Sequence, residues 1–312
     1  MSKIAFVFAG QGSQFTGMGK TLYEESEAAR SVFDMAQTLR PGTIEQCFGG
    51  SDEILSLTEN TQPCLFAMDL AAAKALSEEL SEAGIEPDAL AGFSLGELAA
   101  LTYADAFSNM EAGFKLVCKR GKAMSLAAEK EKGTMAAVLK LKPETVEELC
   151  AGFEKIYPVN YNCPGQLVVA GKAEEMESFA GKVTSAGGRF MPLKVSGGFH
   201  SPLMEEAAQA VKEELKVMNM NIPKIPVYSN VTAQPYDGSS EGVLKGLLYM
   251  QTKSPVRWQE TIENMAKDGI DTFIEVGAGK TLCGLIKKTI KGANVMNIQE
   301  AADIAAVKEK LL

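Results

Sequence analysis

One histidine occurs in the 312 residues, and positive charge is the minority: 31 Lys and Arg stand against 40 Asp and Glu, for a net charge of −9. A chain this short of basic residues is poorly suited to nucleic acid, where affinity comes largely from cations neutralising phosphates. No apolar run reaches the roughly 18 residues that a membrane-spanning helix needs, so no membrane partner is expected. The N-terminal stretch MSKIAFVFAGQGSQ has one Lys and a short apolar run. It lacks the longer apolar region and small-residue cleavage site of a signal peptide, which predicts a soluble, cytoplasmic protein. The cysteines Cys47, Cys64, Cys118, Cys150, Cys163 and Cys283 are scattered, with no C-x-x-C and no His at zinc-finger spacing. Neither a metal site nor a disulfide framework is expected from them; they read as reduced, mostly buried thiols behaving as small hydrophobes.

Hydrophobic residues make up 46% of the chain and charged residues 23%, enough to bury a full core without staples. The length suits two domain-sized units, or one large α/β unit with an insertion. Lys3–Phe8 and Ala89–Phe93 read as short strands, Cys64–Ala83, Leu95–Ala104 and Asn109–Ala128 as helices, and a helical pattern starts near Gly19. Such alternation predicts a parallel sheet covered on both faces. The rhythm then changes. Strand Thr134–Leu141, helix Pro143–Glu154, strands Ile156–Tyr161 and Gln166–Ala170, helix Ala173–Ala186 and strand Arg189–Val195 make a βαββαβ order, that of a ferredoxin-like subdomain. The larger unit resumes with helix Pro202–Met218, strands Ile225–Asn230, Thr272–Val276 and Val295–Ile298, and helices Trp258–Lys267, Thr281–Ile290 and Ile304–Leu311. The expected division is therefore 1–130 with 196–312 for the core, and 131–195 for the inserted subdomain.

Between a predicted strand and a predicted helix lies Gly92-Phe93-Ser94-Leu95-Gly96, a G-x-S-x-G in the setting of a nucleophile elbow. A sharp turn there lifts a hydroxyl clear of the sheet, and the Leu95 N–H at the helix start can stabilise an oxyanion. A serine that merely caps the helix would read the same way. A serine nucleophile needs a base near neutrality, and His200 is the one candidate. It sits in Gly197-Gly198-Phe199-His200-Ser201-Pro202, where Ser201 can cap the next helix and Pro202 open it. The loop Gly10-Gln11-Gly12-Ser13-Gln14 has Phe15 where a dinucleotide fingerprint needs its third Gly. Its Gln11 N–H is instead a candidate second oxyanion donor. Arg120, in the basic run Lys119–Lys122, has the side chain suited to bidentate carboxylate recognition.

Gly10–Gln14, Gly92–Glu97, Lys119-Arg120-Gly121, Gly198–Pro202 and Gln251 with Pro255-Val256-Arg257-Trp258 stand in one order along the chain. The set resembles the malonyl-CoA:acyl carrier protein transacylases and the acyltransferase domains of fatty-acid and polyketide synthases, from about residue 3 to 300. The resemblance implies an α/β-hydrolase-like parallel-sheet core with an inserted ferredoxin-like subdomain. It implies Ser94 as the acylated serine, His200 as its base, Gln11 and Leu95 as oxyanion amides, and Gln251 as the residue whose carbonyl orients the imidazole. Arg120 is implied as the clamp on the free carboxylate of malonate and Phe199 as the residue limiting acyl size. Two positions depart from the family: Phe93 where His is common, altering packing beneath the elbow, and Gly198 where Ala or Pro is common, loosening the loop.

The activity implied is ping-pong malonyl transfer from malonyl-CoA to the phosphopantetheine thiol of acyl carrier protein, by a monomer, with no metal and no bound cofactor. A free-standing chain of this length favours fatty-acid over polyketide synthesis. A serine thioesterase or hydrolase is the main alternative, though such enzymes place their His nearer the C-terminus of the core. A non-catalytic docking scaffold is a third reading, opposed by intact Ser94, His200 and Arg120. Because carrier proteins are acidic, docking needs a local basic patch, for which Arg189, Lys287, Lys288 and Lys291 are the candidates.

Overall fold

The computed structural model describes residues 2–195, 197–236, 238 and 240–312. Two sheets organise them. The first is parallel, in the order β7-β2-β1-β8-β9, with β1 at Lys3–Phe8, β2 at Ala89–Gly92, β7 at Val227–Tyr228, β8 at Ile270–Val276 and β9 at Asn294–Ile298. The second is antiparallel, in the order β4-β5-β3-β6, with β3 at Gly133–Leu139, β4 at Ile156–Cys163, β5 at Gln166–Lys172 and β6 at Arg189–Pro192.

A strand presents alternate residues to opposite faces, and β1 shows the result. Ile4, Phe6 and Phe8 join one core cluster and Ala5 and Val7 another, so the central strand is apolar throughout, as a sheet covered on both faces requires. On the first face lies helix Thr58–Ser81, buried along most of its length, with helices Glu27–Leu39, Leu95–Tyr103 and Met110–Glu131 around it. The second face is covered by Trp258–Lys267 and Thr281–Thr289. In the antiparallel unit, Val138, Leu167 and Val169 pack with Val146 and Phe179 of its two helices. Met135, Ala137, Val168 and Ala170 point the other way, onto Met124, Ala128, Phe199 and Leu203 of the larger unit. A short ladder stitches the units together: Tyr161 N–H donates to Val256 O at 2.9 Å and Val256 N–H to Val159 O at 2.8 Å.

Several boundaries differ from expectation for physical reasons. The helix expected from Cys64 starts at Thr58 and contains Pro63 as its sixth residue, where the ring leaves the Glu59 carbonyl without its usual N–H partner; continuous burial from Thr61 to Ala73 carries the helix through it. Pro202–Met218 divides into a 3-10 turn, Pro202–Met204, and a helix, Glu205–Val217. Strand β7 is only Val227–Tyr228, and β6 stops at Pro192. Glu241–Lys253 is a helix that the sequence reading did not single out. No helix among the described residues is long and apolar enough to cross a membrane.

Ser94 and Gln11 follow β2 and β1 directly, at the carboxyl ends of central strands where open α/β sheets form their crevices. The turn after β2 is compressed. A Cβ on Gly92 would lie 1.9 Å from the Gly96 carbonyl carbon, and one on Gly96 would lie 2.2 Å from Phe8 O. Only glycine allows the helix to start this close to the sheet. Gly96→Ala should therefore cost roughly 3 kcal/mol or more of stability. Gly181→Ala, in helix Ala173–Ser185 with nothing within 4 Å of the new methyl, should instead add about 0.5–1 kcal/mol. Urea unfolding midpoints of the two variants check both signs.

Candidate active site

Ser94 adopts φ 54° and His200 φ 60°, left-handed backbone that costs non-glycine residues energy and clusters at functional sites. Ser94 occupies the cap position of helix Leu95–Tyr103, yet its side chain makes no capping hydrogen bond. Its Oγ lies 2.7 Å from His200 Nε2. His200 Nδ1 lies 2.9 Å from the Gln251 carbonyl. A carbonyl can only accept, so Nδ1 carries the proton, Nε2 presents its lone pair and the Ser94 hydroxyl donates to it. Burial, then the nearby Arg120 cation, lowers the imidazole's affinity for protons to a pKa of about 3. His200 is a neutral base held in one tautomer.

Arg120 reaches the same point from helix Met110–Glu131 and is 1% exposed. Nη2 donates to Ser94 Oγ at 3.1 Å and Gln251 Oε1 at 3.0 Å, and Nη1 to Gln62 Oε1 at 2.8 Å. Every one of these acceptors is neutral. No carboxylate pairs directly with the guanidinium among the described residues, its Nε is unpartnered, and burial lowers its pKa to about 10. A buried cation without a direct counter-ion is costly; here Nη2 reaches the serine oxygen itself.

Gln11, Leu95, Arg120, Phe199 and His200 line one small cavity with Ser94, of about 90 Å³. The cleft beside it, about 610 Å³, shares Gln11, Phe93, Asn160, Leu193 and Val195 and runs past Gly12 and Lys194. Gln251 completes the group from behind, donating Nε2–H to Ser94 O at 2.6 Å. Phe93 packs against Trp258 with ring centroids 5.5 Å apart, an aromatic support beneath the elbow. The looseness expected of Gly198 is offset by packing: Ser201 Oγ donates to its carbonyl at 2.6 Å, and a Cβ there would meet Leu203 Cδ1 at 2.6 Å. Arg189, Lys287, Lys288 and Lys291 are exposed on β6 and at the end of helix Thr281–Thr289, and line neither cavity.

Sequence reasoning missed four supporting residues: Gln62, Glu97, Asn230 and Tyr236. Asn230 accepts the Ser94 N–H at 2.7 Å and donates to Gly92 O at 2.7 Å, so its amide brackets the elbow like a neighbouring strand. Glu97 had a visible signal, a carboxylate in an otherwise apolar helix start. The neutral amides had none.

A family described as "Acyl transferase domain" matches residues 5–308, and the chain belongs to it: this is an acyltransferase. Among its relatives, the Bacillus subtilis malonyl CoA-acyl carrier protein transacylase is 40% identical over 311 residues, covering 97% of this chain and 96% of that protein. The Clostridium perfringens malonyl CoA-acyl carrier protein transacylase superposes with TM-score 0.92 at 35% identity, over 99% and 97% of the two chains. A malonyl-transacylase solved with its type II PKS acyl-carrier protein gives TM-score 0.92 at 32% identity, over 99% and 100%.

The buried imidazole links the site to stability. Below pH 6.5 the unfolded chain takes up a proton at His200 that the folded chain refuses until about pH 3, so acidification across that window favours unfolding. His200→Gln removes this contribution. Relative to the parent, the variant should gain roughly 3 kcal/mol between pH 7 and pH 4, read from urea midpoints at the two pH values.

Proposed function

We propose that the chain moves a malonyl group from malonyl-CoA to the phosphopantetheine thiol of acyl carrier protein through a malonyl ester on Ser94. One observation carries the substrate choice: Arg120, buried beside the nucleophile, is bonded only to neutral oxygens. A substrate carboxylate supplies the missing anion, and a charge-assisted contact of this kind contributes roughly 1.5–3 kcal/mol. The free carboxylate of a malonyl ester sits three bonds from Oγ, within reach of a guanidinium that already touches that oxygen. Phe199, in the wall of the small cavity, limits the space beside the α-carbon. The names of the relatives support the same reading.

In this mechanism Ser94 Oγ attacks the thioester carbonyl while Nε2 of His200 takes the hydroxyl proton. The amides of Gln11 and Leu95 hold the tetrahedral oxyanion. The C–S bond breaks, the proton passes to the departing CoA thiolate, and malonyl-Ser94 remains. The carrier thiol then gives its proton to His200 and attacks the ester, returning Ser94 to its hydroxyl form. The Gln251 carbonyl takes the orienting role that an Asp has in other triads. The chain works as a cytoplasmic monomer with no metal or bound cofactor, and the carrier serves fatty-acid rather than polyketide synthesis. The strand order of the antiparallel sheet supports a ferredoxin-like insertion at 131–195 in an α/β-hydrolase-like core.

Radiolabelled malonyl-CoA tests the reading. Label should appear on Ser94, be absent in Ser94→Ala, and pass to carrier protein, faster to a fatty-acid carrier than to a polyketide one; release as free malonate would mark a hydrolase instead. Arg120→Ala should lower the preference for malonyl-CoA over acetyl-CoA by about ten- to a hundredfold, and an unchanged ratio would remove Arg120 from carboxylate recognition.

The exposed Arg189, Lys287, Lys288 and Lys291 are proposed to attract the acidic carrier. Reversing the charge of Lys287 and Lys288 should raise the KM for carrier protein and spare that for malonyl-CoA; equal KM values for carrier would discard the patch.

A further inference from the structure

Glu97 is completely buried in the first turn of helix Leu95–Tyr103 and takes no part in the bond-making steps above. Both of its oxygens are occupied. Oε2 accepts from Gln251 Nε2 at 3.1 Å and from the Asn230 backbone N–H at 3.2 Å, and Oε1 accepts from the Tyr236 hydroxyl. Two of these partners hold reacting groups. The Gln251 carbonyl faces His200 Nδ1 and its amide donates to Ser94 O; the Asn230 side chain brackets Ser94 N and Gly92 O. One carboxyl group thus ties the segment that orients the base to the segment that shapes the elbow.

We propose that Glu97 is a positioning residue for acyl transfer, acting through its hydrogen bonds to Gln251 and Asn230 rather than through its charge. The inference rests on the roles of Ser94 and His200 given above. Burial pushes the Glu97 carboxyl up to about 7, against the lowering influence of its hydrogen bonds and of Arg120, so the site must work with the group neutral as well as charged. The geometry allows it. Both N–H donors meet Oε2, leaving Oε1 to carry a proton toward Tyr236, whose hydroxyl also has Ser229 beside it. Among the described residues, Tyr236 and Arg120 are the titratable and charged groups that act on it.

Two substitutions separate reach from charge. Glu97→Gln keeps the length, offering its carbonyl oxygen to the two N–H donors and its amide to Tyr236. Glu97→Asp keeps the charge but falls one methylene short of its partners. Steady-state transfer by each variant is measured per active site, sites being counted by single-turnover labelling with malonyl-CoA. E97Q should stay within about threefold of the parent kcat, while E97D loses roughly 10- to 100-fold with KM for malonyl-CoA nearly unchanged. A merely structural role would lower the number of sites and leave kcat per site intact. That result in E97D, or an E97Q as impaired as E97D, overturns the proposal. If E97D does not fold, Tyr236→Phe replaces it: Tyr236 fixes the carboxyl from Oε1, so its loss lets Oε2 swing away from Gln251 and Asn230 and should lower kcat without moving KM; an unchanged kcat overturns the proposal equally. A parent protein that forms no malonyl-enzyme overturns the functional reading and this inference with it, whereas an active parent with the wrong variant pattern overturns this inference alone.

Discussion

A single hydrogen bond, from the Ser94 hydroxyl to Nε2 of His200, joins two loops that lie far apart in the chain. Almost everything around it serves to keep that bond in place. The serine's backbone is strained, the imidazole's backbone is strained, and each would relax if its surroundings gave way. They do not, because the Gln251 carbonyl, the Asn230 amide and the glycines of the elbow leave little room to move. Strain of this kind persists only where packing over-determines it. The architecture matches the demand: a parallel sheet buried on both faces, with a mostly buried helix against it, is a stiff platform for a turn compressed to glycine contact distances.

The electrostatics of the site follow from dryness. Burial lowers the proton affinity of both His200 and Arg120: the imidazole, at about 3, is left neutral, while the guanidinium, at about 10, stays charged without a directly paired anion. A neutral imidazole can take a proton, and an unpaired guanidinium can take a carboxylate. The combination suits the proposed substrate, which brings its own negative charge and is attacked at a neighbouring carbonyl. Glu97 adds a buried acid nearby, and it too is pushed toward neutrality. The interior thus holds its polar groups mainly through hydrogen bonds, with the least possible fixed charge.

Much of this was legible in the chain. Short apolar runs alternating with helices announced the parallel sheet, and the change of rhythm after residue 131 announced a second one. The elbow was visible because a strand-to-helix turn of that geometry needs glycine at fixed offsets from the serine. His200 was visible by scarcity and by its place in a glycine-rich loop before a helix. What stayed hidden depends on distances between remote segments. Asn230 lies two residues beyond a strand of only two residues and carries no local mark of its role. Gln62 lies two residues before Cys64, where the expected helix began, and so fell outside the helix that in fact holds it. Helix Glu241–Lys253, with its glycines at 242 and 246, lacks strong propensity and is held by burial of Leu244, Leu248 and Gln251. Tertiary packing overrides propensity in such cases.

The presence of one histidine makes the central claim open to direct measurement. Nitrogen NMR of the labelled imidazole reports both its tautomer and its protonation. A neutral ring with the proton on Nδ1, unchanged from pH 8 down to pH 5, is the expected result. Titration with a midpoint near 6.5, or a proton on Nε2 in the neutral form, would contradict the buried base that this account places opposite Ser94.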